Sequence, residues 1–195
     1  MQNTVDELLG ECAVIHGHIC PGQLLGVRMA LAGCELIGVE DPKGADRKKL
    51  IVWVEIDRCV TDAISAVTGA RIGRRSLKVV DYGKVAATFL NQETRVAFRI
   101  VARDESRALA DALHPEVASK KDRQMLAYRE ASNEQLFKFE SVNVELSKFD
   151  HPGKPLTRVS CAKCAEGIND GRELRGSDGS MLCKPCAEGG YYQVV

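Results

Sequence analysis

Four cysteines in the last part of the sequence have the spacing of a metal site. They form two C-x2-C pairs separated by eighteen residues, at Cys161, Cys164, Cys183 and Cys186. Each C-x2-C turn presents two sulfurs to one ion, and a structural zinc ion takes four thiolates in a tetrahedron. The spacing favours zinc over the alternative, a pair of redox or structural disulfides. We therefore predict a structural zinc site.

A second group of metal-ligating residue types lies in the segment H-G-H-I-C-P-G, residues 16–22. His16, His18 and Cys20 alternate, so in an extended chain their side chains would point to the same side. Pro21 suits the first position of a helix, and a helix N-terminus favours the thiolate form of a nearby cysteine. The combination is typical of a transition-metal site or of an activated thiol.

Cys59 occupies a comparable position further along the chain. It follows a β-branched, apolar run at 49–57 and begins a helical pattern over 59–70 that stops at Gly69. Asp62 comes three residues later, so on a helix it faces the same direction as Cys59. Corners between a strand and a helix often carry functional residues. Cys59 and Asp62 are therefore candidate site residues.

The elements that must position these residues alternate between helical and strand patterns up to about residue 146. The apolar spacing predicts helices and strands, with Asp104 as an N-cap. The predicted helices cover 5–15, 22–38, 59–70, 104–113 and 119–137. The predicted strands cover 49–57, 77–83, 84–91, 94–102 and 137–147. We expect an α+β fold in which an antiparallel or mixed sheet packs with helices.

The remainder of the chain differs in composition. Residues 148–157 carry two prolines and a glycine, as linkers do. Residues 158–195 contain very few large aliphatic side chains and need a staple in place of a core. The predicted organisation is a core at 1–147, a linker at 148–157 and a small treble-clef or ribbon-like zinc module at 158–195.

Charge and composition exclude some classes of function. The 195 residues hold 27 Lys+Arg and 27 Asp+Glu, a formal net charge of +0. Residues 158–195 are also balanced, with five basic and five acidic residues, so nucleic-acid binding is disfavoured and a protein partner is favoured for this module. No apolar run approaches the roughly 18 residues of a membrane span. The first residues lack the order of a secretion signal, which leads us to expect a cytoplasmic protein.

Three ordered motifs resemble the FmdE family, which takes its name from a component of formylmethanofuran dehydrogenase. They are H-G-H-I-C-P-G-Q-L-L-G-V-R at 16–28, C-V-T-D-A-I at 59–64 and D-Y-G-K-V-A-A-T-F at 81–89. Members of the family often carry a C-terminal four-cysteine zinc module as well. The resemblance implies an α+β core, a homodimer, and a metal in a cleft between the first two motifs.

The resemblance also implies roles for single residues. His18, Cys20 and Cys59 would bind a second transition metal, for which zinc is expected, and His16 would be a ligand or a partner of one. His16 and Asp62 are then acid–base candidates.

The third motif adds Lys84 as a further catalytic candidate. Its neighbours Asp81 and Tyr82 are expected to line the cleft, or else to form an ordinary turn around Gly83.

Two classes of function fit these features. One is a metal-dependent enzyme, or an accessory component of a formylmethanofuran dehydrogenase or molybdoenzyme-type redox system. Its reaction, whether oxidoreduction, hydrolysis or group transfer, does not follow from the sequence. The other is a non-catalytic regulatory or protein-interaction module that uses the zinc segment, with Tyr191 and Tyr192 as candidate anchors.

Overall fold

The computed structural model describes residues 4–193 and residue 195. The chain divides into two compact units, Met1–Glu145 and Leu146–Val195. Helices and one five-stranded sheet make up the first unit, which confirms the predicted α+β class. No helix in the described part of the chain has the length and apolar character needed to cross a membrane.

The sheet of the first unit is mixed. Its strands are β1 (Leu50–Val54), β2 (Leu77–Val79), β3 (Ala86–Asn91), β4 (Ala97–Ala102) and β5 (Phe137–Ser141). The order is β2-β1-β3-β4-β5, in which β1 and β2 are parallel and the other neighbours antiparallel. Val52 pairs with Phe89, and both are fully buried in the core. Because side chains alternate along a strand, one sheet face is assigned to this core.

The helices of the first unit supply the rest of the core. They are α1 (Val5–His16), α2 (Pro21–Leu36), α3 (Cys59–Thr68), α4 (Glu105–Leu113), α5 (Lys120–Glu130) and α6 (Asn133–Leu136), with a 3-10 turn at Ile72–Arg74. Helix α2 packs against α1, α3, α5 and strands β3 and β4. It is the most buried helix and starts at Pro21, as predicted.

Glycines on α2 allow this close packing. A Cβ atom added at Gly26 would lie 2.6 Å from the Val60 carbonyl oxygen and 2.7 Å from the Ala63 Cβ, both on α3. One added at Gly33 would lie 2.4 Å from the Phe89 ring. Only residues without a side chain fit at these two positions, so the sequence of α2 sets how near α3 approaches.

The helix predicted over 119–137 is interrupted. Helix α5 ends at Glu130, and Ser132 caps α6 in a capping box with Gln135. The strand β5 then begins at Phe137, inside the range predicted as helix. Asp104 lies at the N-cap position of α4 but makes no side-chain capping bond.

Arg28 fastens the α5–α6 junction to α2. Its guanidinium donates to the carbonyl oxygens of Tyr128 and Ala131 at 2.7 and 2.5 Å, and to the Asn133 side-chain oxygen at 2.8 Å. Carbonyls at the end of a helix lack partners within the helix. Arg28 satisfies two such groups and so fixes the position of α5.

The second unit contains short strands and one short helix. Strands β6 (Arg158–Ser160) and β7 (Gly167–Asn169) pair, as do β8 (Leu174–Arg175) and β9 (Met181–Leu182), and α7 covers Lys184–Glu188. The segment 148–157 lies in this unit, where Asp170 accepts the backbone N–H groups of Leu156 and Thr157. Its buried residues, among those described, are Cys161, Ile168 and Asp170. That is too little apolar surface for an independent core.

Candidate metal centres

The four late cysteines form one cluster in the second unit. Their sulfurs all lie within 4.8 Å of one another. The turn between β6 and β7 carries Cys161 and Cys164, whereas Cys183 caps α7 and Cys186 lies in its first turn. A turn followed by a helix start is the arrangement of a treble clef. The cluster is compatible with the predicted small zinc module.

The cluster has the dimensions and charge of a metal site. Cys164 Sγ and Cys183 Sγ are 3.8 Å apart, and a tetrahedron with Zn–S bonds of about 2.3 Å has edges of about 3.8 Å. Backbone N–H groups at Cys164 and Cys183 lower the pKa of Cys161 to about 6. The pKa of Cys186 rises to about 12, first through its hydrogen bond with Cys183 and then through desolvation. Four adjacent sulfurs cannot all be thiolates unless a cation is shared among them.

A second cluster lies in the first unit. One ligand atom each from His16, Cys20 and Cys59 lies within 4.8 Å of the others, and all three residues are half-buried. His16 is the last residue of α1, Cys20 is the N-cap of α2 and Cys59 is the first residue of α3. Three helix ends therefore meet at one point. Imidazole and thiolate together are ligands typical of zinc and other transition metals.

Gly22 makes room for this convergence. A Cβ atom at this position would lie 3.3 Å from the Cys59 Cβ, 3.8 Å from the Cys20 Sγ and 4.0 Å from the Cys59 Sγ. The two cysteines therefore border the same glycine on the first turn of α2. Proximity to the second thiol is visible in the titration of Cys59, whose pKa is raised by desolvation and by its hydrogen bond with Cys20.

Asp62 orients His16. The Nδ1 atom of His16 lies 2.8 Å from Oδ2 of Asp62. When Nδ1–H donates to this carboxylate, the Nε2 atom carries the free lone pair that a metal requires. Metal-binding histidines commonly have such a carboxylate partner, which fixes the tautomer and the ring orientation. Asp62 thus supports the cluster from the first turn of α3.

His18 is placed differently from its prediction. Its ring packs on the His16 ring at a centroid distance of 4.7 Å, and it is not a member of the three-residue group among the described residues. The expected extended chain from 16 to 20 is wrong, because α1 continues to His16 and Gly17 then turns the chain with a φ of 88°. The alternation of His16, His18 and Cys20 is lost at this turn. Metal binding by His18 stays a prediction.

The third motif forms a turn. Asp81 Oδ1 accepts the Gly83 N–H at 2.9 Å, and Gly83 adopts a φ of 67°. Lys84 is exposed, with its Nζ atom 6.0 Å from the centroid of the exposed Tyr82 ring. A catalytic role for Lys84 stays a prediction, since the structure gives it no contact with the His16–Cys20–Cys59 cluster.

A cleft of about 320 Å³ opens beside Cys59. Residues from α2, α3, α4, α5, the β1–α3 loop and the start of β3 line it. They are Pro21, Gly22, Leu25, Ile56, Arg58, Cys59, Val60, Val85, Arg107, Lys120, Gln124 and Tyr128. The basic residues of this cleft were not predicted from the sequence, because they belong to three separate segments and no local pattern joins them.

Comparison with known proteins matches the first unit to a described family and to one curated protein. The model of the family described as "FmdE, Molybdenum formylmethanofuran dehydrogenase operon" matches residues 15–145. A relative from Archaeoglobus fulgidus, described as a probable S-adenosyl-L-methionine-binding protein, is 34% identical over 106 residues. The match covers 54% of this chain and 29% of that relative, so the chain spans less than a third of the relative's length.

A solved structure is similar over nearly the whole chain. It is an FmdE-like protein of the tungsten formylmethanofuran dehydrogenase type from Syntrophus aciditrophicus, with a TM-score of 0.67 and 21% sequence identity. The match covers 98% of this chain and 96% of that one, and at this identity it shows the fold alone. The family model, in contrast, matches the sequence across both cysteine-bearing helix starts of the core. On that match, which extends over well more than half of its residues, the chain belongs to the FmdE family.

Proposed function

We propose that the first unit is a metal-dependent enzyme, or the metal-binding accessory component of one, with zinc held by His16, Cys20 and Cys59. The observation that carries the proposal is the convergence of these three ligand atoms within 4.8 Å, with Asp62 hydrogen-bonded to the imidazole. Structural zinc sites are closed by four protein ligands, whereas catalytic sites keep a position open. A set of three protein ligands fits the second kind.

The chain's own residues define what this centre can do. When bound, zinc supplies a Lewis acid with an exchangeable position. Asp62 holds the His16 ring and is half exposed, so it can also accept a proton from a group bound beside the cluster. Cys59 lines the neighbouring cleft, which supports binding of the reacting molecule there.

Metal content per chain tests the proposal. We expect two zinc ions in the wild-type protein, one in Cys59→Ala and one in His16→Ala. His18→Ala is the matched control, since it removes an imidazole two positions away and should retain both ions. Elemental analysis of the purified full chain gives the counts. Two ions in His16→Ala together with one in His18→Ala would transfer the ligand role to His18 and contradict this assignment.

For the biological setting, we propose an accessory role in a formylmethanofuran dehydrogenase or molybdoenzyme-type redox system. The family description and the name of the solved relative both refer to such an enzyme, and this supports the setting for the present chain. Affinity capture with the full chain from its native cells, followed by fluorescence detection of oxidised molybdopterin, tests it. Absence of the pterin from the captured fraction would argue against this setting.

The zinc module supports a second function, contact with a partner protein. Tyr191 is fully exposed and Tyr192 is half exposed, with their rings edge to face at 5.1 Å. Exposed tyrosines are enriched at protein interfaces. Replacement of both by serine should abolish capture of the partner and leave the zinc content unchanged. Tyr82→Ser, an exposed tyrosine of the first unit, is the control.

We also propose that the chain forms a homodimer, as the family resemblance implies. Val14 and Ile15 are 86% and 59% exposed at the end of α1, which supports an intermolecular contact there. Light scattering during size exclusion should give twice the mass of 21.3 kDa. Val14→Lys should yield monomers, and Ile72→Lys, at a residue 66% exposed, should not.

A further inference from the structure

The cleft beside Cys59 carries positive charge without a matching negative charge. Arg58, Arg107 and Lys120 line it, and none of its lining residues is acidic. Within the described residues, Arg107 and Lys120 form no ion pair, and Arg58 has only a distant contact of 3.9 Å with Asp57. Three cations from three segments that converge on one cavity attract an anion, and low-dielectric walls strengthen the field within it.

The backbone adds to this positive potential. Helices α2 and α3, of 16 and 10 residues, both begin at the cleft, where Pro21, Gly22, Cys59 and Val60 line it. Neither N-cap residue, Cys20 or Arg58, makes a side-chain capping bond. The first N–H groups of a helix then remain available to a ligand, and the helix dipole favours negative charge at this end.

The other wall of the cleft is apolar. Leu25 of α2 and Val60 of α3 are buried, and the half-buried Ile56 and Val85 complete this surface. A volume of about 320 Å³ lies at the lower end of the range for small-molecule sites. An inorganic ion alone would leave this surface uncovered.

We propose that this cleft binds a small organic anion, whose carboxylate or phosphate group is held by Arg107, Lys120 and Arg58. Its apolar body lies against Leu25 and Val85. The opposite end reaches Cys59, and therefore the metal centre. That the anion is the substrate of this centre rests on the function proposed above, whereas its binding in the cleft does not. Helix α5, fastened to α2 by Arg28, positions Lys120 and Gln124 over the site.

Titration of the full chain with three benzene derivatives tests the proposal. Benzoate and phenyl phosphate carry the two anionic groups, and benzamide is their neutral counterpart. We expect at least one anion to shift the backbone amide resonances of Gly22 and Val60, and benzamide at the same concentration to leave them in place. The anion that binds more tightly identifies the group. Equal binding of benzamide would overturn the proposal.

Charge-removing variants locate the binding. Arg107→Gln and Lys120→Gln should each weaken anion binding about tenfold, as expected for loss of a charge-assisted hydrogen bond. Lys121→Gln is the matched control, because this exposed lysine is the next residue of α5 and does not line the cleft. It should bind like the wild type. Identical affinities in all three variants would place the anion elsewhere.

Measurement in His16→Ala separates this proposal from the metal centre. We expect this variant to lose the core zinc and to retain anion binding. If it keeps both zinc ions and still binds the anion, the assigned metal centre fails and the anion site stands. If it loses zinc and anion binding together, the anion is a metal ligand and the cationic cleft is not its site.

Discussion

His16 and Asp62 are joined by a contact of 2.8 Å between Nδ1 and Oδ2, although 46 positions separate them in the sequence. The imidazole side chain is 17% exposed and the carboxylate side chain 50%. The contact connects the last residue of α1 with the first turn of α3. It directs the remaining imidazole nitrogen toward an ion, so it couples the packing of two helices to the chemistry of the cluster.

Removal of the carboxylate should weaken the core metal site without destroying it. We expect Asp62→Ala to lower the zinc affinity of the core site by about 10–100-fold, because His16 loses the group that fixes its tautomer and orientation. Competition with a chromophoric chelator measures the affinity. Asp57→Ala, which removes an exposed acid from the loop before α3, should leave it unchanged. Equal losses in the two variants would indicate a general charge effect.

The contact between α2 and α3 should control both stability and metal binding. In Gly26→Ala, the added methyl group would lie 2.6 Å from the Val60 carbonyl oxygen, so the helices must separate. We expect a loss of about 1–3 kcal/mol in the free energy of unfolding, together with weaker zinc binding at Cys20 and Cys59. Trp53, the single tryptophan, reports denaturant unfolding of the first unit by its fluorescence.

Gly10→Ala is the matched control for this substitution. Gly10 lies within α1, and a Cβ atom there would meet nothing within 4 Å. Alanine is favoured over glycine inside a helix, so the variant should gain about 0.5–1 kcal/mol. If both glycine variants changed stability in the same direction, close packing at Gly26 would not explain the effect.

The second unit should depend on its metal for folding. Since its described buried residues are few, we expect Cys164→Ser to abolish hydrogen-exchange protection in β6 to β9 and α7, and to leave the sheet of the first unit protected. Lys163→Ala, next in sequence and exposed, should keep the protection. Retained protection in Cys164→Ser would mean that the fold of this unit does not require four sulfurs.

Local patterns predicted the elements well where their end signals were strong. Pro21 and Gly69 delimit α2 and α3 as expected, and Gly69 ends α3 with a φ of 68°. The residues between α5 and α6 were predicted as helix because the polar pattern continues through them. There the capping box of Ser132 and Gln135 won over the helical pattern.

The geometry of the core site was only partly predictable. The residue types in 16–22 and at Cys59 indicated ligands, but the choice between His16 and His18 depends on where α1 ends. Gly17 sets that end through a left-handed turn, which period-two alternation does not reveal. The charged cleft was not predictable at all, since its cations are adjacent only after α4 and α5 pack.

Asp46 should make the stability of the first unit dependent on acid pH. Its Oδ2 atom accepts the backbone N–H groups of Asp41 and Glu40, each at 3.0 Å, and its Oδ1 atom lies 3.0 Å from Lys49 Nζ. These contacts, first the bond from Asp41, lower the pKa of Asp46 from 3.8 to about 2. Because the folded pKa is the lower one, the stabilisation is present above about pH 4 and is lost as the pH falls toward 2.

Asp46→Asn should therefore be less stable than the wild type at pH 7, and the difference should shrink between about pH 4 and 2. Trp53 fluorescence during urea unfolding measures both proteins across this range. Glu93→Gln is the control, since Glu93 also contacts Lys49, at 3.6 Å, but from an exposed side chain. Its difference from the wild type should be small at every pH. A difference for Asp46→Asn that stays constant down to pH 2 would show that the carboxylate charge does not stabilise the loop.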